Sequence, residues 1–370
     1  MQEKTSPPVS HRTHQTFSRF PQARLKQSLM MEHIVTQPET IAKTIKGQKQ
    51  EVQALSDALA TASKLTVLSC GSSYHVANLF KHAMDGRMAV DVEEQPLLYS
   101  GKAPFSLFIS QSGCSGDLMP CFENAKASRS YRVALTNTPN SPLARKSHLV
   151  VLTRAPDESA LVPAIGSMTG AVASAYHIAA STIAAPYARS RAMAELEALP
   201  EQIDRFISNI RNTSFEGVAD ILKPASYIYF AGQGALRWVA AEAALKVRET
   251  AEILTDSGSI SGARHGFLSA FGSRVPALQG IPKAIVLFAE AADAPLVKQY
   301  EGMAAEHGFT LVTVGCGAGC KFHTSFFIPV PSEAAKTISA ITLAQMLAHD
   351  ITINYGLEPG SSKINSKVVK

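Results

Sequence analysis

The run Lys64-Leu65-Thr66-Val67-Leu68-Ser69-Cys70-Gly71-Ser72-Ser73-Tyr74 decides how the chain is read. A short β-favouring segment stops at a Gly/Ser turn and a helical pattern follows, the signal of a parallel strand feeding its crossover helix. The same order recurs at Phe105–Ser110, Arg132–Thr136 and His148–Thr153, and again at Tyr227–Ala231, Ala284–Ala289, Thr310–Gly315 and Phe326–Val330. The starts of the last three segments are 27 and 16 residues apart in the first set and 26 and 16 in the second, which points to an internal duplication. Continuous apolar cores such as Leu107-Phe108-Ile109 and Ala284-Ile285-Val286-Leu287-Phe288 suit strands covered on both faces by helices. The expected fold class is α/β: two tandem three-layer α/β/α sandwiches, each with a mostly parallel sheet.

Working outward, Ser167–Ala185 reads as a small-residue helix, Arg189–Ile210 as a helical linker, Leu236–Leu254 as a helix of the second copy and Ala334–Ile353 as a terminal helix. The expected organisation is a flexible leader over 1–30, a first domain over 31–185, a linker over 186–210, a second domain over 211–353 and a tail over 354–370. Apolar residues at 46% and charged residues at 18% exclude disordered, collagenous and coiled-coil classes. A membrane span needs about 18 uninterrupted apolar residues, and the chain has no such window; its N-terminus lacks a signal-peptide pattern, so a cytoplasmic address is expected. Five cysteines, Cys70, Cys114, Cys121, Cys316 and Cys320, form an odd set that argues against a disulfide framework. The spacing of Cys316 and Cys320 is not a metal motif, and neither metal nor cofactor is expected. Of the net charge of +5, residues 1–30 supply +4, from Lys4, Arg12, Arg19, Arg24 and Lys26 against Glu3. The remaining body is nearly neutral, so no nucleic-acid partner is expected.

Ligands of open parallel sheets lie beyond the carboxyl ends of the strands. Two such ends are dense in hydroxyls: Cys70-Gly71-Ser72-Ser73-Tyr74 and Ser110-Gln111-Ser112-Gly113-Cys114-Ser115-Gly116-Asp117. Turns of this kind offer backbone N–H groups, hydroxyls and a positive helix end, which suit a phosphate monoester; each is also explained by plain helix capping. Neither is a Walker loop. The turn Thr136–Pro142 reads as turn chemistry alone. In the second copy Gly232-Gln233-Gly234 is followed by Arg237 where a dinucleotide loop needs its third glycine, so NAD binding is not expected. Glu242, Lys246 and Glu249 stand at i, i+4 and i+7, within roughly 60° of one helix face. A surface ladder is the ordinary explanation of that pattern, but the apolar residues between them suggest a buried helix. Sixteen residues on come Arg264-His265-Gly266, on a Gly/Ser-rich stretch that begins at Ser257.

At these residues the chain resembles the sugar isomerase (SIS) domain family, most closely the isomerase half of glucosamine-6-phosphate synthase and relatives without its glutaminase domain. The likeness runs from about Met31 to the end: Gln37–Thr44, Cys70–Tyr74, Ser110–Asp117, Glu242–Glu249, His265-Gly266, and Leu357-Glu358-Pro359 to Lys367 each resemble a family motif in the family's order. The resemblance implies two flavodoxin-like SIS domains and a sugar 6-phosphate held by Cys70, Gly71, Ser72, Ser73, Ser110, Gln111, Ser112 and Ser115, with backbone help near Leu161 and Val162. It makes Glu249 the carboxylate that moves a proton between C1 and C2 of an open-chain sugar, and His265, reaching into a neighbouring subunit, the aid to ring opening. Lys367 would meet the sugar carbonyl, while Glu242 and Lys246 would hold the helix face and the sugar hydroxyls. A shared site implies at least a homodimer. No cysteine-nucleophile domain stands at the N-terminus, so glutamine hydrolysis is not expected. An isomerase, a deaminase, a fructosamine-6-phosphate deglycase and a non-catalytic sugar-phosphate-binding protein remain open readings. Departures from the family pattern stand at Cys114, Ala263, Phe267 and Pro163-Ala164-Ile165.

Overall fold

The computed structural model describes residues 28–94, 99–211, 216–272, 274–275, 279–330, 332–362, 364 and 367. The basic leader up to residue 27 lies outside the described residues. The described residues begin one residue before helix α1 (Leu29–Val35), where the Ser28 hydroxyl accepts from the Met31 N–H and Met30 is fully buried. The leader expected over 1–30 therefore gives way to folded chain by Ser28, because Met30 has a core site to fill.

Helices α2 (Gln37–Gly47) and α3 (Lys49–Leu59) lead into the first sandwich, which comprises β1 (Lys64–Ser69), α4 (Ser72–Ala83), β2 (Ala89–Glu94), β3 (Phe105–Ile109), α5 (Met119–Ala127), β4 (Tyr131–Thr136), α6 (Pro142–Lys146), β5 (Leu149–Leu152) and α7 (Gly166–Ser181). Two connecting helices, α8 (Pro186–Glu197) and α9 (Leu199–Arg211), precede the second: α10 (Glu216–Leu222), β6 (Tyr227–Gly232), α11 (Leu236–Ala251), β7 (Leu254–Ser259), α12 (Ile260–Ala263), β8 (Lys283–Ala289), α13 (Ala294–His307), β9 (Thr310–Cys316), β10 (Phe326–Ile328) and α14 (Glu333–Asn354). The linker expected as one helix is two, broken at Ala198 so that Pro200 sits in the first turn of α9, where its missing N–H costs nothing.

Both sheets are wholly parallel and share one strand order, β2-β1-β3-β4-β5 in the first and β7-β6-β8-β9-β10 in the second. This common order supports the duplication suggested by the spacings. The edge strands β2 and β7 were missing from the sequence reading; Asp91, Glu93 and Glu94 in one, and Asp256, Ser257 and Gly258 in the other, leave too few buried apolar positions to mark a strand.

The sandwiches are not independent. Helix α7 is buried over its whole length, as a helix apolar on every side must be, and its small residues permit close packing: a Cβ on Gly170 would lie 2.8 Å from the Thr153 carbonyl oxygen. Val76 and Phe80 of α4, Val172 of α7, Val239 and Ala243 of α11, and Ile338 and Ile341 of α14 belong to one continuous core. The facing helix layers thus form a single interior, and the charged face of α11 lies within it. Among the described residues no helix is long and apolar enough to cross a membrane.

Candidate active site

Strand β1 ends at Ser69, and Gly71 turns the chain with φ +58°, a conformation glycine adopts without strain, so that α4 can start at Ser72. From there Ser72 donates to Glu242 Oε1 across the interface at 3.1 Å, and His75, one position short of a full turn on, meets Glu242 Oε2 at 2.6 Å. Lys246 Nζ lies 3.4 Å from Glu242 Oε1 and also hydrogen-bonds Glu249 Oε2. Glu242 and Lys246 are fully buried, whereas the Glu249 side chain keeps 19% exposure, which leaves that carboxylate open to a ligand.

Burial works against both charges of the inner pair, but their partners outweigh it. Lys246, His75 and Ser72 hold the Glu242 pKa below its ordinary value, and the carboxylates of Glu242 and Glu249 hold the Lys246 pKa above its own. Glu242, expected to help hold sugar hydroxyls, instead has its oxygens taken by Ser72, His75 and Lys246 and joins α11 to α4. A carboxylate without solvent needs internal donors, and here it finds three.

The second hydroxyl-rich turn follows β3. Gly113 takes φ +61°, and its N–H donates to the Ser110 hydroxyl at 3.1 Å; Ser110 and Ser115 hydroxyls stand 3.3 Å apart, and the Cys114 N–H donates to Ser112 at 3.2 Å. The Thr136–Thr138 turn, read from sequence as turn chemistry alone, clamps this loop. Thr136 and Thr138 hydroxyls and the Asn137 N–H all donate to the Gln111 carbonyl, at 3.1, 3.2 and 3.1 Å. A narrow cleft brings Ser72, Ser73 and Gln111 together with Thr136, Ala164 and Ser167 at the start of α7. Cys70, just ahead of the first turn, is half-buried.

The tail completes the groove from the other side. The Val162 N–H donates to the Gly360 carbonyl at 2.9 Å and the Leu161 N–H to the Glu158 carbonyl at 3.0 Å, so these amides, expected near the sugar phosphate, serve the protein's own backbone. Lys367 Nζ donates to the Pro163 carbonyl at 3.0 Å and approaches Glu158 Oε2 at 3.4 Å. Burial lowers the Lys367 pKa; Glu158 opposes that, the Lys246 charge adds to it, and Glu249 opposes it last. The Lys367 amine therefore sits within the field of both Lys246 and Glu249. The described tail residues Gly360 and Lys367 pack against Val162 and Pro163, and Lys246 and Glu249 share one face of α11.

His265 stands apart. It is exposed on the turn after α12, a helix whose Ile260 and Ala263 pack into the core on the far side of the second sheet from α11. Neither His75 nor Glu158 was singled out in sequence: His75 follows the hydroxyl turn by two residues and Glu158 precedes α7 by eight, and neither stands in a charge pattern of its own.

The family model for the SIS domain matches residues 58–181. The first sandwich is a SIS domain. The chain is homologous to the isomerase half of isomerizing glutamine–fructose-6-phosphate aminotransferase: it is 28% identical to the Mycolicibacterium smegmatis enzyme over 274 residues, 68% of this chain and 43% of that one, and 26% identical to the Pyrobaculum aerophilum enzyme over 353 residues, 92% and 57%. The chain thus spans about half the length of these curated relatives. In fold it is similar to the C-terminal domain of the Francisella tularensis glucosamine-fructose-6-phosphate aminotransferase, with TM-score 0.76, 18% identity, and coverage of 91% and 99%. It is similar also to the Escherichia coli tagatose-6-phosphate ketose/aldose isomerase, with TM-score 0.74, 16% identity, and coverage of 91% and 96%. The SIS domain contributes both hydroxyl-rich turns; the acidic helix face comes from the second sandwich.

Proposed function

We propose that the chain is a phosphosugar-processing enzyme that moves a proton between C1 and C2 of an open-chain sugar 6-phosphate or amino sugar 6-phosphate. The observation that carries this is a partly exposed carboxylate, Glu249, hydrogen-bonded to the buried Lys246 on a helix face that Glu242 joins to Ser72 of the first hydroxyl-rich turn, with Lys367 of the tail at the Pro163 carbonyl. In this reading Ser73, Ser110, Gln111, Ser112 and Ser115 take the phosphate, and its binding energy orients the reacting carbons. Glu249, held by Lys246, takes the proton α to the carbonyl and returns it to the neighbouring carbon. Lys367, its charge disfavoured by burial, offers an amine to the carbonyl. His265, on an exposed turn remote from α11, fits a group used on a second copy's sugar in a homodimer.

The test is a panel of sugar 6-phosphates, amino sugar 6-phosphates and fructosamine 6-phosphates, read by product and by solvent-deuterium incorporation at C1 and C2. Glu249→Gln is expected to cut turnover by roughly 10²–10⁴ while leaving binding within about tenfold. Unchanged deuterium incorporation in that variant overturns the mechanism. Loss of the amine, loss of the sugar adduct, or binding without turnover distinguishes deaminase, deglycase and sensor from isomerase.

A further inference from the structure

Between β5 and α7 a carboxylate lies fully buried. Glu158 Oε1 accepts the N–H groups of Ser167 and Ile165 at 3.0 and 3.3 Å, and Oε2 accepts the Ser167 hydroxyl at 2.5 Å and the Lys367 ammonium at 3.4 Å. The same segment is tied to the tail twice more, through Pro163 to Lys367 and through Val162 to Gly360. His33 Nδ1, buried, is 3.7 Å from Oε1 and has no hydrogen-bond partner, so the carboxylate's neighbourhood holds an uncommitted polar group as well. The amides at the start of α7 alone would fix Glu158 in place; what they do not require is a charge from 209 residues away in the chain.

We infer that Glu158 is the positioning residue that seats Lys367, holding the tail lysine against the segment that leads into α7. The inference rests on the reading of Lys367 as the group that meets the sugar carbonyl. The arrangement explains how a tail beyond the last helix delivers one amine reproducibly: a buried carboxylate, already oriented by backbone donors, gives the ammonium a fixed counter-charge at low entropic cost. The groups acting on Lys367 are Glu158, Lys246 and Glu249, with Asp157 and His33 beside the seat. Since Glu158 favours the ammonium, its neutralisation lowers the Lys367 pKa further.

The test uses the full chain and two readouts. The titration of Lys367 is followed by amine labelling against pH with mass spectrometry, and amide exchange is followed at Val162, whose N–H is held by the tail. In Glu158→Gln the labelling midpoint should fall by about one pH unit and Val162 exchange should rise at least tenfold, with Glu158→Asp restoring the midpoint toward that of the native chain. With fructose 6-phosphate as probe, kcat should drop tenfold or more with KM within threefold. An unshifted midpoint in folded Glu158→Gln overturns the inference. A shifted midpoint in a native chain that turns over no sugar phosphate upholds the seat and refutes the functional reading alone. If Glu158→Gln does not fold, Lys367→Gln reads the contact from the other side: faster Val162 exchange at an unchanged melting temperature supports it, and unchanged exchange refutes it.

Discussion

Replacing Lys246 with methionine isolates the electrostatics of the helix face. Methionine fills much of the same space, so the loss is of charge rather than packing. The variant leaves Glu242, with no exposed surface, to Ser72 and His75, and leaves Glu249 without the ammonium that separates it from Glu242. Removing one partner of a buried pair costs roughly 3–5 kcal/mol. Because the two sandwiches share one core, the loss should fall on one cooperative transition, and at about 2 °C per kcal/mol for a chain above 200 residues the melting temperature should drop by roughly 6–10 °C. The pH dependence carries the sharper test. In the native chain the lowered Glu242 pKa gives stability that is present above the unfolded carboxylate pKa and lost as pH falls through the lowered value; the raised Lys246 pKa gives stability lost only as pH rises through the raised value. In Lys246→Met the stranded carboxylate reverses sign, since burial now raises its pKa, and protonation relieves the variant. Calorimetry should therefore find the gap to the native chain closing between about pH 8 and pH 5, and Glu242→Gln added to Lys246→Met should recover more than half of it. A gap under 2 °C, or one indifferent to pH, would refute the assignment of a buried, charged Glu242.

Ser112→Ala with Ser115→Ala should abolish most of the thermal stabilisation given by inorganic phosphate or fructose 6-phosphate; an undiminished shift in calorimetry would show that this loop does not anchor phosphate. Gly113→Ala places a Cβ 2.1 Å from the Ser141 hydroxyl at φ +61° and should cost about 1–3 kcal/mol in urea titration, with a loss below 0.5 kcal/mol counting against the clamped loop. Gly360→Ala, at φ +92° with its Cβ 2.4 Å from Leu161 Cδ2, should unseat the tail: turnover falls at least tenfold while the melting temperature moves by no more than about 2 °C, and unimpaired turnover sets the tail aside.

The central strands were legible because burial on both faces leaves an unbroken apolar run; β1 is buried from Leu65 to Ser69 and β8 from Ala284 to Ala289. The missed edge strands β2 and β7 each have one buried residue of six and no such run. The charged face of α11 was legible from spacing, since 3.6 residues per turn fixes which side chains meet. Its inner partner was not, because His75 and Glu242 are 167 residues apart in the chain and neither residue type announces a long-range contact. The occupied amides of Leu161 and Val162 were equally invisible: whether a backbone N–H is free for a ligand depends on what folds over it, and here a local turn takes the Leu161 N–H and the tail takes that of Val162.

The two sandwiches have the same five-strand order, yet the loops after corresponding strands differ in chemistry. After β1 and β3 stand hydroxyls and backbone N–H groups; after β6 and β8, the corresponding strands of the second sheet, stand Gln233 and Glu290. Glu290 caps the turn through Asp293 and pairs with Lys336 at the start of α14, the counterpart of the α7 N-terminus. A carboxylate at that position opposes a phosphate dianion and, with Glu333, pairs Lys336 internally. The second sandwich has instead turned the helix after its first strand, α11, toward the SIS domain and placed its ionisable groups on the shared face. In the proposed reading one sandwich holds the anion and the other moves the proton, and the Ser72–Glu242–His75 contact fixes the distance between the two tasks.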